Sequence, residues 1–358
     1  MNQLGYGIHA YNTIKEFEKL GNQICLLPPF GRAHFLNEDV ERWLAAREKF
    51  STHNPSVMMF HEDFLPHFSG TPRIGFPVFE KEKFEEFEKT AMRSCDALLV
   101  PSRWGKNVLE QQGCKNIHVV PEGFDPVDFP LFEEKQSDNP ELFTFVHVGK
   151  FEERKGTLQV VECFFRALER EEARLIMHIH NPFIDNYKIL LQKLEDLGFV
   201  STNGGRMWRR LGLSILFTEQ VAIHSQMSNL YRSADCGIFP TRAEGWGLPI
   251  LECIATGTPV IAGNWTGQSE YIEGESILEI KKFTRAPAYD GHFYAGDCGE
   301  WNVPDNQRLI ELIQFAYEHR GLRSHPRWVD YVSKIRERFT WHEAAKKLQA
   351  ALREITGL

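Results

Sequence analysis

Residues 236–262 read CGIFPTRAEGWGLPILECIATGTPVIA, and no other segment says as much about the architecture. Cys236–Phe239 has no polar face, the pattern of a strand buried on both sides. A loop follows through Thr241, Arg242, Ala243 and Glu244, shaped by Gly245 and Gly247. Pro249 suits the first turn of a helix, where its missing N–H costs nothing, and Gly257 ends that helix. Pro259–Ala262 is a second buried strand. Strand, helix and strand in this order are the repeating unit of parallel α/β sheets.

The same alternation recurs on both sides. Toward the N-terminus a helix is expected over His9–Leu20, with Ala10, Ile14, Phe17 and Leu20 on one stripe. Strands are expected at Ile24–Leu27 and Val57–Phe60, a helix lined by Phe84, Phe87 and Ala91, and a buried strand at Ala97–Val100. Ser102 can cap the next helix, which stops at Gly113 before a strand at Ile117–Val120. The pattern breaks at Val127–Pro140, an acidic stretch with two prolines that reads as a linker. It restarts with a strand at Phe143–Val148, a helix at Thr157–Leu168, and strands at Leu175–Ile179 and Ser214–Phe217. Near the end, Thr340 and Glu343 have the spacing of a capping box, and Ala344, Leu348, Leu352 and Ile355 form one apolar face. Only Met1–Leu4 precede Gly5, so the strand that normally opens such a sheet is either a stub there or missing.

Length and composition agree with two domains. At roughly 150 residues each, 358 residues make between two and three. Hydrophobic residues are 42% before the 27 glycines are counted, as in ordinary globular chains. A net charge of −8 argues against a dedicated nucleic-acid or anionic-membrane binder. No apolar run approaches the ~20 residues of a membrane helix, and MNQLGYGIHAYN lacks the regions of a signal peptide. Seven cysteines, never spaced as CxxC, suggest free thiols in a reducing, cytoplasmic setting.

Three places put glycine or a cation at a helix start, where free N–H groups and the dipole attract anions. Gly5-Tyr6-Gly7 reads as a simple turn or as a close approach for a phosphate. In VHVGKFEERKGT, residues 146–157, the cations Lys150, Arg154 and Lys155 fall at the end of a strand. That is where ligands sit in open α/β sheets, although Glu152 and Glu153 also allow a merely solvated loop. In the 236–262 stretch, Gly247 and Leu248 offer backbone donors, with Glu244 and Glu252 flanking them. Carboxylates accept hydrogen bonds from sugar and ribose hydroxyls; a helix-dipole role would explain Glu252 but not Glu244.

Glu244-Gly-Trp-Gly-Leu-Pro-Ile-Leu-Glu252 resembles the E-x7-E signature of retaining nucleotide-sugar glycosyltransferases of the GT-B fold, the family 4 type. Gly149-Lys150…Lys155-Gly156 resembles that family's GR…KG diphosphate clamp. LYRSADCGIFPT, PVIAGNWTGQSE, DALLVPS, VVPEGFD and FTWHEAAKKL are similar to its other recurrent blocks. The resemblance implies an α/β fold of two Rossmann-like domains facing across a cleft, the C-terminal helix crossing back to the N-terminal domain. The expected domains are an acceptor-side domain over 1–126, a linker over 127–140, a nucleotide-sugar-binding domain over 141–330 and the returning helix over 331–358.

The resemblance further implies a donor that is a nucleotide-diphosphate sugar, of UDP or GDP type, and transfer of a hexosyl or pentosyl group with retention. Lys155 would hold the diphosphate, with Lys150 beside it where the family usually has Arg. That exchange keeps charge but loses bidentate geometry. Glu252 would take the ribose hydroxyls and Glu244 the transferred sugar. Gly247, Leu248 and Gly5 to Gly7 would bring backbone donors to the phosphates and sugar. His61, after its strand, is a candidate sugar contact, with Glu62, Asp63 and Glu80 as rivals. Glu122 stands where the family often has His or Asn.

No metal is expected, since cations and helix starts can stabilise the departing diphosphate, and His178 with His180 lacks a third ligand. No cofactor beyond the donor is implied. The acceptor is open: a glycan, a lipid-linked sugar, a small molecule, a protein or a nucleic acid. For the last, Gly204–Arg210 (GGRMWRR) pairs three arginines with a Trp208 that could stack on a base. A non-catalytic sugar-nucleotide-binding protein of the same fold is the remaining alternative.

Overall fold

The structure, a computed structural model, describes residues 5–27, 37–67, 69–183, 187–221, 223–272 and 278–357. The chain divides into two compact units: Met1–Asp125 with Glu244–Leu248 and Arg338–Leu358, and Pro126–Ala243 with Pro249–Glu337.

The first unit opens with α1 (Gly5–Lys19) and α2 (Glu38–Ala45), then β1 (Ser56–Met58), β2 (Arg73–Gly75), α3 (Glu86–Arg93), β3 (Ala97–Val100), α4 (Arg103–Gln111) and β4 (Ile117–Val119). The strands pair in parallel in the order β1-β2-β3-β4. β3 is buried on both faces because side chains alternate along it. Leu98 and Val100 pack with Met92 and Leu109, and Ala97 and Leu99 pack on the other side with Leu348 and Ala351. Ser102 Oγ caps α4 by accepting the Gly105 N–H at 3.1 Å.

Several expectations for this unit are corrected. The opening helix already includes Gly5 and so extends N-terminal to the expected His9. Its fully buried face is polar (Gly7, His9, Asn12, Thr13, Glu16), while the apolar stripe is half-buried. Hydrogen bonds hold the polar face, with His9 Nδ1 2.8 Å from Glu122 Oε1 and His342 Nδ1 3.3 Å from Glu16 Oε2, while Phe17 of the apolar stripe packs against the first unit's core. No strand forms at Ile24–Leu27, where Leu26 N–H bonds to Trp43 O and no described strand pairs with the segment. Phe87 of α3 is 61% exposed and Phe84 precedes the helix. The possible stub at Met1–Leu4 lies outside the described residues.

The second unit carries β5 (Phe143–Val148), α5 (Thr157–Leu168), β6 (Ala173–His178), α6 (Tyr187–Asp196), β7 (Val200–Thr202), β8 (Met207–Arg210), β9 (Leu213–Phe217), α7 (Met227–Arg232), β10 (Cys236–Phe239), α8 (Leu248–Ala255), β11 (Val260–Gly263), β12 (Leu278–Ile280), β13 (Phe283–Pro287), β14 (Glu300–Pro304), α9 (Asn306–Glu318) and α10 (Pro326–Arg338). Its sheet runs β12-β11-β10-β5-β6-β9-β8-β7. The strands are parallel except at the β9-β8-β7 edge. Phe145, Leu175, Ile215, Ile238 and Ile261 form the core with Val160 and Phe164 of α5 and Leu309 and Ile313 of α9.

The last helix, α11 (Trp341–Thr356), belongs to the first unit. Thr340 Oγ1 accepts the Glu343 N–H at 3.2 Å, the cap that the spacing implies. Leu348 and Ala351 lie on the first sheet. The preceding α10 stays with the second unit up to Glu337, so the return is made by α11 alone. No described helix is long and apolar enough to cross a membrane.

Candidate functional site

In the second unit, β5 and β10 are parallel neighbours, so the loops at their carboxyl ends lie side by side. After β5 the chain turns through Gly149 and Lys150 into a short 3-10 turn, Glu153–Lys155, and α5 begins. Gly156 joins the two at φ +69°, ψ +24°, a left-handed conformation that glycine takes without cost. A Cβ there would also lie 2.8 Å from Pro240 O. Lys155 is 7% exposed, and its aliphatic stem runs over Gly149.

The charges of this loop are organised around Glu152, which is 6% exposed. Lys150 Nζ lies 2.8 Å from Oε1 and Arg154 Nη2 lies 3.2 Å from Oε2. Burial would raise this carboxyl, yet Arg154, Lys150 and Lys155 together hold it below the usual range. Lys150 also sits 5.6 Å from the ring centres of both Phe183 and Phe293. Glu153 pairs with Arg242 at 2.5 Å. Arg154 donates from Nη1 to Ala243 O at 2.7 Å, and Arg242 N–H bonds to Arg154 O at 2.8 Å. The two loops are thus locked together.

Five buried side chains finish this framework, and none is signalled by local sequence. His147 bridges β5, β10 and α5: Nδ1 is 2.8 Å from Ile238 O and Nε2 is 3.0 Å from Thr157 Oγ1. Burial pushes it down to about 4, so it is neutral near pH 7. Gln268 faces Thr241 Oγ1 at 3.0 Å and donates to Gly263 O at 2.6 Å. The β13–β14 hairpin supplies Trp301, Tyr294 and Cys298, which pack with Ala243.

Glu252 lies inside α8 at 2% exposure. His224 Nε2 is 2.9 Å from Oε1, and Tyr231 donates to Oε2 at 3.3 Å. Burial alone would lower His224, but the carboxylate draws it above the usual imidazole range. His224 comes from a short turn well upstream, so only the tertiary fold reveals the pairing.

The remaining candidates belong to the first unit. Gly5 and Gly7 lie within α1 rather than in a loop before it. Tyr6 between them donates to Val78 O at 2.7 Å and accepts the Val78 N–H at 3.1 Å. His61 is exposed beyond β1, its ring 4.7 Å from that of Tyr6. Of its rivals, Asp63 is exposed and Glu80 half-buried. Glu62 is buried, and burial pushes its carboxyl up to about 7, partly offset by Lys81. Glu122 is the buried partner of His9. Glu244 is 4% exposed and Trp246 is 1% exposed, with the Trp246 ring 5.6 Å from Phe339. Gly247 takes φ +93°, and Leu248 begins α8.

The Gly204–Arg210 stretch does not offer a stacking platform. Trp208 is 4% exposed, facing the core, and donates to Gly205 O. Arg210 lies over the Phe165 ring and Arg206 pairs with Glu219. Antiparallel alternation turns the indole inward. Among the described residues no group of three His, Cys, Asp or Glu side chains is arranged to hold a metal.

Comparison with known proteins adds four findings. Residues 143–286 match the family described as Glycosyl transferases group 1. The alpha-monoglucosyldiacylglycerol synthase of Streptococcus pneumoniae is 26% identical over 311 residues, 81% of this chain and 63% of that protein. Sucrose-phosphate synthase from Thermosynechococcus elongatus superposes with a TM-score of 0.68 at 15% identity, over 99% of this chain and 94% of that one. The Anabaena protein HepE in complex with UDP-glucose superposes at 0.57 and 16% identity, over 80% and 72%. The chain thus spans under two thirds of its Streptococcus relative, while the structural likenesses carry the fold. Residues 143–286, across β5 to β13, thus resemble group 1 glycosyltransferases, and the two Rossmann-like units, with α11 in the first, share the GT-B fold of these structural neighbours.

Proposed function

We propose that the chain moves a hexosyl or pentosyl group from a nucleotide-diphosphate sugar, of UDP or GDP type, to a hydroxyl-bearing acceptor. The observation that carries this reading is the pair of features in the second unit: Lys155 at the start of α5, and the buried carboxylate of Glu252 held by two neighbours. A cation at a helix start suits a diphosphate, and a fixed carboxylate suits a ribose diol. HepE, of like fold, binds UDP-glucose, which favours the UDP type.

In the reaction the bond from the sugar's anomeric carbon to the phosphate oxygen breaks, and its electron pair leaves with the diphosphate. The acceptor oxygen forms the new bond and loses its proton. Lys155, Lys150 and the free N–H groups at helix starts would stabilise the leaving charge, so no metal or other cofactor is required. Glu244 and His61 would contact the transferred sugar, and Gly5, Gly7, Gly247 and Leu248 would supply backbone donors. Retention is taken from the family resemblance. The first unit would receive the acceptor, a glycan, lipid-linked sugar or small molecule; the buried Trp208 weighs against nucleic acid. Seven free cysteines favour a reducing, cytoplasmic setting.

Thermal unfolding with UDP-, GDP-, ADP- and dTDP-sugars tests the reading. A ligand at a hundredfold excess over its Kd stabilises by about 2.7 kcal/mol. One class should raise Tm in the wild type and not in Lys155→Ala. If all leave both proteins unshifted, the nucleotide-sugar assignment is wrong.

A further inference from the structure

Both oxygens of Glu252 are already engaged, one by His224 and one by Tyr231. Each carboxylate oxygen can accept two hydrogen bonds, so each keeps one position for an incoming donor. Two such positions on one immobile group match the paired O–H groups of a vicinal diol.

The two partners differ in how firmly they are set. Tyr231 is fully buried, and burial together with Glu252 pushes its hydroxyl well above its ordinary value, so it remains a donor. His224 has a side chain 23% exposed and rests edge-on against Phe129 at 5.2 Å. Asp128 is the other charged group acting on it. Tyr231 alone would leave the carboxylate free to swing about its Oε2 contact; His224 removes that freedom.

We propose that His224 is a positioning residue that fixes Glu252 as a two-pronged acceptor for a vicinal diol, so that the site prefers ribonucleotides to their 2′-deoxy counterparts. The inference rests on the reading of Glu252 as the ribose contact. His224 itself need not touch the nucleotide.

Calorimetric titration with UDP and 2′-deoxy-UDP, and with GDP and 2′-deoxy-GDP, tests it on the full chain. The variants are His224→Ala, His224→Asn, His224→Gln and Glu252→Gln, each checked by thermal unfolding. The wild type should prefer the ribo form, and His224→Ala should lose roughly tenfold of that preference, the weight of a hydrogen bond to a charged group. Affinity for the deoxy form should change little. His224→Gln keeps an N–H at similar reach and should retain most of the preference. His224→Asn is too short and should behave as Ala, which keeps the test decisive if Ala folds poorly. Preference lost in Glu252→Gln but intact in His224→Ala and His224→Asn overturns the positioning role alone. Preference intact in Glu252→Gln, or absent in the wild type, overturns the ribose reading of Glu252 and the inference with it.

Discussion

Arg154 reaches across from the loop after β5 to donate to the carbonyl of Ala243 at 2.7 Å, and the next residue in the chain is Glu244. The same guanidinium holds Glu152 at 3.2 Å while 3% exposed. A planar fork reaches both partners from two nitrogens held at a fixed spacing, a geometry that the single nitrogen of a lysine amine does not reproduce. Arg154→Lys should therefore cost about 1–3 kcal/mol in urea unfolding, the range for an unmade bond to a charged group. Arg154→Ala should cost about 3–5 kcal/mol, since it strips a buried charge pair of one member. A Lys variant as stable as the wild type would mean that the fork is not needed.

Gly156 gives a second prediction. Its φ of +69° and the 2.8 Å approach of a Cβ to Pro240 O both oppose a side chain. The neighbour is backbone, so relief requires moving the end of β10. Gly156→Ala should lose about 1–3 kcal/mol and weaken nucleotide-diphosphate binding, whereas Gly204→Ala, also at positive φ but with open space around it, should leave binding unchanged. Equal binding in both variants would remove the junction from the donor site.

What could be read from sequence follows from how local each signal is. β5 and α5 match the expected bounds because every residue of β5 is buried and Gly156 marks the boundary. Lys155 and Glu252 could be singled out because spacing along one segment carries their meaning. α1 extends N-terminal to its expected start because Gly5 and Gly7 look like a turn, and its buried polar face depends on tertiary hydrogen bonds that the apolar stripe does not reveal. Ile24–Leu27 is apolar enough for a strand, but a strand exists only with a partner. His224, Gln268 and the Glu122–His9 pair were not legible, for each is defined by a contact between distant elements. The indole of Trp208 faces inward because of its register in an edge hairpin, which composition does not reveal.

His147 makes a pH-dependent contribution. Its pKa in the fold is about 4, against an ordinary value of 6.5, so between these values the unfolded chain binds the extra proton. Stability is then intact above about pH 6.5 and declines as pH falls toward 4. A displacement that large is worth on the order of 3 kcal/mol. His147→Asn should be less stable at pH 7, having lost one of two bonds, yet should show a shallower decline in acid. Parallel stability curves for the two proteins would place the acid sensitivity elsewhere.

Glu62 has the opposite sign. Its carboxyl is lifted from 4.5 to about 7, by burial first and with Lys81 pulling the other way. Between those values the folded state holds a proton that the unfolded chain has released. Stability therefore falls as pH rises from about 4.5 through 7, and the cost is fully present only above 7. The scale is again on the order of 3 kcal/mol. Glu62→Gln keeps the neutral shape and removes the ionisation, so it should match the wild type near pH 5 and be more stable near pH 8. Urea unfolding at the two pH values measures the difference directly. If the variant gains nothing at pH 8, the carboxylate is already accommodated by Lys81, and Glu62 is ionised at neutral pH.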